Sequence, residues 1–173
     1  MTTTFAATLH TPDGPFSFVS RGKIVLASGW TDDIPSLLVL IHSSLRPNPL
    51  DVHHVDPDLE SAVTPMADAV RRYYDGELEA PGQVAVSQRS GEFREHAWDV
   101  LRTVRPGEPI TYMEYAKRAG RPKAVRAAAS ACAMNAAALF VPCHRILRSD
   151  GGLGGFRYGL AIKRSLLDRE ATS

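Results

Sequence analysis

The stretch of sequence that decides the fold is residues 111–134, TYMEYAKRAGRPKAVRAAASACAM. Thr111 and Glu114 have the spacing of a capping box, in which the threonine side chain accepts from the N3 amide and the glutamate returns to the cap residue. The helix that begins there is expected to end before Gly120, because glycine favours the left-handed position after a helix. Pro122 then opens a second helix at its first position, and this helix runs to about the end of the stretch. Two helices joined by about three residues around a glycine predict a helix-turn-helix.

The second helix of this pair is unusual for one that reads DNA. A helix that reads the major groove carries Arg, Asn or Gln toward the base edges, whereas this one is mostly alanine with Arg126 near its middle. Small side chains let a helix enter a narrow groove, and one long side chain can then wedge into the base stack. Tight packing of the helix inside the protein, with Arg126 reaching solvent, explains the pattern equally well. Cys132 falls on the apolar face, so we expect it in the core.

Composition sets the broad class of protein. The 173 residues allow one large or two small domains, and 44% hydrophobic with 23% charged residues is ordinary for a globular protein. The sequence contains no apolar run near the ~18 residues of a membrane span, and its first residues do not resemble a secretion signal.

Charge is distributed unevenly between the two halves. Residues 1–88 carry five Lys/Arg against eleven Asp/Glu, and residues 89–173 carry fifteen against eight. Such an asymmetry is typical of a basic half that binds a polyanion. An uneven spread of charge over solvated faces is an equally good explanation.

The chain is predicted to divide near Gln88-Arg89-Ser90-Gly91, into domains 1–88 and 89–173. Alternating apolar residues and turn residues predict strands at 5–9, 16–20, 23–27 and 81–88. Helices are expected at 32–42 and 64–74, with a loop over 43–58, and in the second domain a helix precedes the helix-turn-helix. The fold class is α/β (α+β), with a small N-terminal α/β domain of antiparallel strands and a mainly helical, winged-helix-like C-terminal domain.

The run Val141-Pro142-Cys143-His144-Arg145 carries the most chemistry. A thiol reacts as its thiolate, and a nearby imidazolium or guanidinium lowers the cysteine pKa from about 8.5. Pro142 fixes a backbone torsion just before the sulfur. Cys143 is therefore a candidate nucleophile. Most free cysteines are inert core residues, and the apolar run 136–141 fits a buried strand, so a structural cysteine is the competing interpretation.

Further runs stand at set distances from this cysteine: Ala124-Val125-Arg126-Ala127, Ala131-Cys132-Ala133-Met134-Asn135 and Gly154-Gly155-Phe156-Arg157-Tyr158-Gly159. Trp98, Pro106-Gly107 and Thr111-Tyr112 precede them. With these motifs, residues 93–170 resemble the O6-alkylguanine-DNA alkyltransferases, also called methylated-DNA–protein-cysteine methyltransferases. The resemblance is greatest to the C-terminal methyltransferase domain of the bacterial adaptive-response protein, and the spacing is kept without gaps from Tyr112 to Glu170.

The resemblance implies roles for the matched residues. Cys143 would accept the alkyl group, His144 would take its proton through a water, and Glu170 would orient His144. Tyr112 would donate to the departing guanine, and Arg126 would fill the gap left by the flipped nucleotide. Further DNA contacts would be made by Tyr112, Lys123, Ala124 and Ala127. The base pocket would be lined by Asn135, Met134, Ile146, Phe156, Arg157 and Tyr158, while Arg145 would be structural.

The implied activity is DNA repair by direct reversal. The alkyl group of O6-alkylguanine, and also of O4-alkylthymine, would move irreversibly to Cys143 after the nucleotide is flipped out of the duplex. The thioether is stable, so each molecule would act once. The expected partner is double-stranded DNA, bound through the minor groove by a monomer in the cytoplasm. No metal, cofactor or membrane is expected; His53 and His54 are expected to be loop residues rather than zinc ligands.

Two departures and three alternatives qualify this resemblance. Ala136 stands where many relatives have proline, and Glu170 lies three residues from the C-terminus, where fraying is common. A non-catalytic module that binds alkylated bases and recruits repair factors would lack the reactive cysteine, so Cys143 argues against it. A helix-turn-helix transcription factor would need polar base-reading residues on the second helix. A thiol hydrolase is the third alternative.

Overall fold

A five-stranded sheet forms the centre of the N-terminal half. The computed structural model describes residues 2–171, and in it the strand order is β4-β1-β2-β3-β5. The strands are β1 (Thr4–Thr11), β2 (Gly14–Arg21), β3 (Ile24–Gly29), β4 (Val52–His54) and β5 (Ala85–Val86). β1, β2 and β3 pair antiparallel, as their alternating sequences predict, while β4 and β5 are parallel to their neighbours.

Two helices accompany this sheet, α1 (Ile34–Leu38) and α2 (Thr64–Tyr74). α2 has its predicted bounds, but α1 is shorter than the predicted 32–42. The predicted loop over 43–58 contains the short strand β4, in which Val52 is buried against the sheet. One buried residue is too short a pattern to show the alternation of a strand. The strand predicted at 81–88 is limited to β5, because a 3-10 helix occupies Ala80–Gln83.

The chain forms two compact units that do not follow sequence order strictly. One contains the chain up to Arg89 together with Ala136–Phe140, and the other contains Ser90–Asn135 and the chain from Val141 onward. In the first unit the Ser28 amide donates to the Ala136 carbonyl at 2.8 Å. The Ala136 amide donates to Oε1 of Gln88 at 2.9 Å, a bond that proline could not make. The buried strand expected here is not formed, because the segment turns at Leu139, whose φ of 75° is left-handed.

The second unit is mainly helical, which confirms the predicted fold class. Its helices are α3 (Glu92–Leu101), α4 (Tyr112–Arg118), α5 (Val125–Ala133) and α6 (Leu160–Ala171), with the parallel pair β6 (Ile110–Thr111) and β7 (Ile146–Leu147). Trp98 of α3 donates to the Ala131 carbonyl of α5 at 2.8 Å. Tyr115 of α4 donates to the Ala97 carbonyl of α3 at 2.7 Å. Within residues 2–171, none of the helices is long and apolar enough to cross a membrane.

The helix-turn-helix consists of α4 and α5. Oγ1 of Thr111 accepts from the Glu114 amide at 3.1 Å, so the threonine half of the capping box is formed. After α4, Gly120 has φ 89°. The Gly120 amide donates to the Lys117 carbonyl, and the Arg121 amide donates to the Ala116 carbonyl. These two bonds are the Schellman pattern that ends a helix.

The start of α5 was predicted at Pro122 and lies three residues later. The Ala124 amide donates to the Arg121 carbonyl at 2.9 Å, which makes residues 121–124 a turn. Ala124, with φ −98° and ψ 46°, is the residue that precedes the helix. Pro122 therefore belongs to the turn between the two helices and not to the first turn of α5.

Gly120 provides a test of this connection. Replacing Gly120 by alanine should lower the free energy of unfolding by about 1 kcal/mol, because alanine resists a left-handed backbone. A Cβ at this position meets no atom within 4 Å, so only the backbone conformation is tested. Replacement by asparagine, which tolerates this region better, should lose less. Denaturant unfolding measures both variants, and equal losses would contradict the assignment.

Candidate active site

A buried carboxylate joins α6 to the segment that contains the candidate cysteine. Glu170, 1% exposed, lies on the last turn of α6. Its Oε2 is 2.7 Å from Nε2 of His144, and its Oε1 accepts from Nε of Arg145 at 2.8 Å. Arg145 also donates through Nη2 to Oε2 at 3.2 Å and through Nη1 to the Val104 carbonyl at 2.8 Å. The end of α6 that the sequence marked as prone to fraying is therefore held by ionic hydrogen bonds.

These contacts set the protonation of the carboxylate and the imidazole. Burial would raise the pKa of Glu170, but the charges and hydrogen bonds of His144 and Arg145 outweigh burial and lower it to about 2. Burial lowers the pKa of His144 below its ordinary value, more than Glu170 raises it. At neutral pH the pair is therefore a carboxylate beside a neutral imidazole.

The hydrogen bond to Glu170 also selects the tautomer of His144. A carboxylate can only accept, so Nε2 carries the proton and donates it. Nδ1 is then an acceptor, and it is buried without a hydrogen-bond partner among the described residues. A neutral imidazole with an unused acceptor nitrogen is chemically suited to remove a proton from a nearby group.

Cys143 begins a one-turn 3-10 helix, Cys143–Arg145, and does not lie on a strand. The Cys143 amide donates to the Val141 carbonyl at 2.9 Å around Pro142, whose φ −84° and ψ 65° are those of an inverse γ-turn. Neighbouring side chains on a strand point to opposite faces, whereas in a 3-10 helix they are about a third of a turn apart. The tight turn thus removes the strand geometry that would separate Cys143 from His144.

The thiol of Cys143 is neutral at rest. Burial raises its pKa, while a hydrogen bond from Asn135 and the positive charges of Lys163 and Arg157 act in the opposite direction. The pKa of the Cys143 thiol therefore stays above the ordinary value of a cysteine. Reaction at neutral pH therefore requires a base to remove the proton, although the charges around the sulfur favour the thiolate once it forms.

Asn135 connects the end of α5 to the cysteine segment. This side chain is 1% exposed, and its Nδ2 donates to the Val141 carbonyl at 2.9 Å. Val141 lies two residues before Cys143, on the other side of the γ-turn. Asn135, which the resemblance assigns to the base pocket, thus links the end of α5 to the segment of Cys143 through this hydrogen bond.

Tyr112, the first residue of α4, packs against the glycine-rich loop. A Cβ on Gly154 would lie 3.0 Å from the Tyr112 hydroxyl and 3.1 Å from its ring, and Gly154 has φ 73°. Only a residue without a side chain permits this close approach. Burial, followed by the charges of Cys132 and Cys143, raises the pKa of Tyr112 to about 12. The phenol is therefore protonated at neutral pH and available as a donor.

The remaining predicted pocket residues lie on three segments: Phe156, Arg157 and Tyr158 on the same loop, Met134 at the end of α5 and Ile146 on β7. Phe156 and Tyr158 stack edge to face, with ring centroids 5.9 Å apart. Arg157 between them donates to the carbonyls of Ala133 and Asn135 at the end of α5. Two predicted pocket residues differ in burial, since Ile146 is fully buried and Met134 is 53% exposed.

Lys163 is a site residue that the sequence analysis missed. Its buried Nζ on α6 donates to the carbonyls of Ile146 (2.8 Å), Leu153 and Gly155 (3.3 Å). Burial lowers its pKa, while Cys143 acts in the opposite direction. A lysine in an amphipathic helix is typical of a solvated face. The sequence signal that could have indicated Lys163 was its position seven residues before Glu170, which places both residues on the same helical face.

Apart from Tyr112 on α4, the predicted DNA-contact residues lie on or next to the outer face of α5. Arg126 and Ala127 are exposed on α5, and Lys123 is exposed in the turn before it, while Ala128 and Ala131 are buried. The small residues of α5 therefore agree with both interpretations, packing inside the protein and entry into a narrow groove. Some of them pack in the core, and others form an exposed face that carries one arginine. Ala124 is partly buried and precedes the helix. Cys132, expected in the core, is also only partly buried.

Comparison with known proteins agrees with this geometry. The family described as "6-O-methylguanine DNA methyltransferase, DNA binding domain" matches residues 92–172. The methylated-DNA–protein-cysteine methyltransferase of Methanothermobacter thermautotrophicus is 32% identical over 83% of this chain and 78% of its own length. The bifunctional transcriptional activator/DNA repair enzyme Ada of Escherichia coli is 45% identical over 54% of this chain. This chain spans only about a quarter of Ada, 26% of its length.

The solved structures extend the likeness to both units. The crystal structure of the Mycobacterium tuberculosis O6-methylguanine methyltransferase has a TM-score of 0.78 and 26% identity, and it covers 98% of this chain and 93% of that one. The likeness therefore includes the N-terminal sheet, which the sequence motifs did not reach. On these relationships, the chain belongs to the methylated-DNA–protein-cysteine methyltransferase family.

Proposed function

We propose that this protein repairs DNA by direct reversal, moving the alkyl group of O6-alkylguanine, or of O4-alkylthymine, to its own Cys143. The observation that carries the proposal is the buried pair of Glu170 and neutral His144, with Nδ1 of the imidazole free to accept a proton, next to a thiol that is protonated at rest. The family to which the chain belongs, and the names of its relatives, support the same chemistry.

The residues divide the transfer between them. Nδ1 of His144 takes the Cys143 proton through a water, and Glu170 stabilises the resulting imidazolium. The thiolate attacks the alkyl carbon; a carbon–sulfur bond forms and the carbon–oxygen bond to the base breaks. The phenol of Tyr112 donates a proton to the departing guanine, and the proton held on His144 restores the phenol through solvent. The thioether has no route back to the thiol, so each molecule acts once.

The alkylated base must leave the duplex before the thiol can reach it. We place the duplex against α5, with the exposed alanine face in the minor groove and Arg126 in the position of the flipped nucleotide. Lys123 precedes this face and carries charge toward the phosphates. We also propose that the protein acts as a monomer. A cytoplasmic location is proposed because the thiol must stay reduced.

Mass spectrometry of the protein after reaction with a duplex that contains O6-methylguanine tests this function. One methyl group should appear on the peptide that contains Cys143, and none on the peptide that contains Cys132. A Cys143→Ser variant should stay unmodified, whereas Cys132→Ala should react like the wild type. Binding of the lesion without modification of Cys143 would contradict the transferase and support the non-catalytic, base-binding alternative.

Glu170→Gln tests the role of the carboxylate. Loss of its charge should slow transfer about 10²-fold or more, because the imidazolium loses its stabilising partner. Glu170 also opposes the lowering of the His144 pKa by burial. The acid limb of the transfer rate should follow the lowered pKa of His144 and should therefore move to still lower pH in the variant.

The matched control is Asp168→Asn, which removes a carboxylate from the exposed side of the same helix. Its single-turnover rate and pH profile should equal those of the wild type. A slow Glu170→Gln variant with an unchanged pH profile would mean that Glu170 acts only on stability, and it would contradict the assigned role.

A further inference from the structure

We propose that the side chain of Arg157 is a positioning group that fastens the base pocket to the C-terminal end of α5, and that lysine cannot replace it. The inference rests on the proposed transfer to Cys143 and adds a residue on which the geometry of that transfer depends. The guanidinium makes two contacts with one helix end, from a loop in which a glycine of left-handed backbone lies on each side of Arg157.

Two hydrogen bonds of Arg157 are directed at backbone carbonyls, and its side chain also hydrogen-bonds that of Tyr158. Nη1 donates to the Asn135 carbonyl at 2.8 Å, and Nη2 donates to the Ala133 carbonyl. Ala133 is the last residue of α5, and Asn135 follows two residues later. The guanidinium therefore bridges the helix end and the residue whose own side chain holds the Val141 carbonyl.

The end of α5 needs such partners. The last four carbonyls of a helix have no amide partner within the helix, and the C-terminus carries a partial negative charge. Trp98 satisfies the Ala131 carbonyl from α3, and Arg157 satisfies the Ala133 carbonyl from the pocket loop. A planar guanidinium presents two parallel donors with a full positive charge, whereas an ammonium is a compact point charge without that fork.

The loop that carries Arg157 needs fixed points as well. Gly154 has φ 73° and Gly159 has φ 102°, so a glycine in the left-handed region lies on each side of Arg157. Lys163 holds the first half of the loop by the Leu153 and Gly155 carbonyls. Arg157 is an anchor of the second half, where Phe156 and Tyr158 line the proposed pocket and the Gly159 amide donates to the Phe156 carbonyl at 3.1 Å. Without it, the wall of the pocket would lose its fixed distance from α5 and from Cys143.

The guanidinium also contributes charge at the sulfur. Together with Lys163 it favours the thiolate of Cys143 and so opposes the effect of burial on its pKa. The titratable or charged groups that interact electrostatically with Cys143 come from α4, α5, α6 and the loop: Tyr112, Tyr115, Cys132, Lys163, Arg157 and Tyr158. Arg157 has two effects, the paired hydrogen bonds to the end of α5 and the positive charge near Cys143. Replacement by lysine separates them, because lysine keeps the charge but cannot make the paired hydrogen bonds.

The test compares Arg157→Ala and Arg157→Lys with the wild type and with Arg164→Ala, which removes an exposed arginine from α6. Three quantities are measured: affinity for an unmodified duplex, the transfer rate at a saturating concentration of O6-methylguanine duplex, and the pH dependence of Cys143 alkylation by iodoacetamide without DNA. Hydrogen exchange of the amides in residues 155–158 reports directly on the loop.

Both Arg157 variants should bind the duplex within about twofold of the wild type and transfer about tenfold more slowly at saturation, because the base is held less accurately. Loop amides should exchange faster in both variants. The pH midpoint of iodoacetamide alkylation should rise in Arg157→Ala and stay unchanged in Arg157→Lys. Arg164→Ala should equal the wild type in every measurement.

Unchanged transfer rates and amide exchange would overturn the proposal. A loss of duplex affinity that accounts for the whole loss of rate would also overturn it, since Arg157 would then be a phosphate contact. A wild-type transfer rate in Arg157→Lys would show that only the positive charge matters, and it would contradict the proposal that the paired hydrogen bonds position the loop. If the wild type itself transfers no methyl group, the proposed function fails, while iodoacetamide alkylation and amide exchange still decide whether Arg157 holds the loop.

Discussion

The site depends on one buried carboxylate, Glu170, which His144 and Arg145 share. A carboxylate removed from water is unfavourable unless it is paired and fully hydrogen-bonded. Here the guanidinium balances its charge, and the imidazole donates from Nε2. Loss of the carboxylate would leave a buried guanidinium without its counter-ion, which typically costs about 3–5 kcal/mol. The same interaction fixes the histidine tautomer, fastens the end of α6 and holds the 3-10 helix that begins with Cys143.

Around this centre, the geometry is set by side chains that hold backbone carbonyls. Asn135 holds Val141, Lys163 holds both β7 and the first half of the glycine-rich loop, and Arg157 holds the end of α5. Short irregular segments carry the thiol and the proposed base pocket, so they lack the hydrogen-bond ladders of long strands. Cationic donors to carbonyls supply that rigidity and add positive charge near the sulfur.

Local signals in the sequence predicted the regular elements well. The capping threonine and Gly120 predicted α4 and its end, and alternation predicted β1 to β3. The 3-10 helix at Cys143 and the strand β4 were not predictable, because each is a single turn or three residues long and depends on distant partners. Glu170 and His144 are 26 residues apart in sequence, and only the family resemblance placed them together. Lys163 was missed because burial of a lysine is decided by tertiary contacts.

The proposed chemistry requires His144 to be a neutral base whose Nε2 carries the proton. Nitrogen-15 NMR of the labelled imidazole measures this directly, since the protonated and unprotonated ring nitrogens have different shifts. At pH 7 we expect a protonated Nε2 that donates to Glu170 and an unprotonated Nδ1, with no imidazolium. A protonated Nδ1, or an imidazolium at neutral pH, would contradict the account, because the nitrogen meant to take the proton of Cys143 would already hold one.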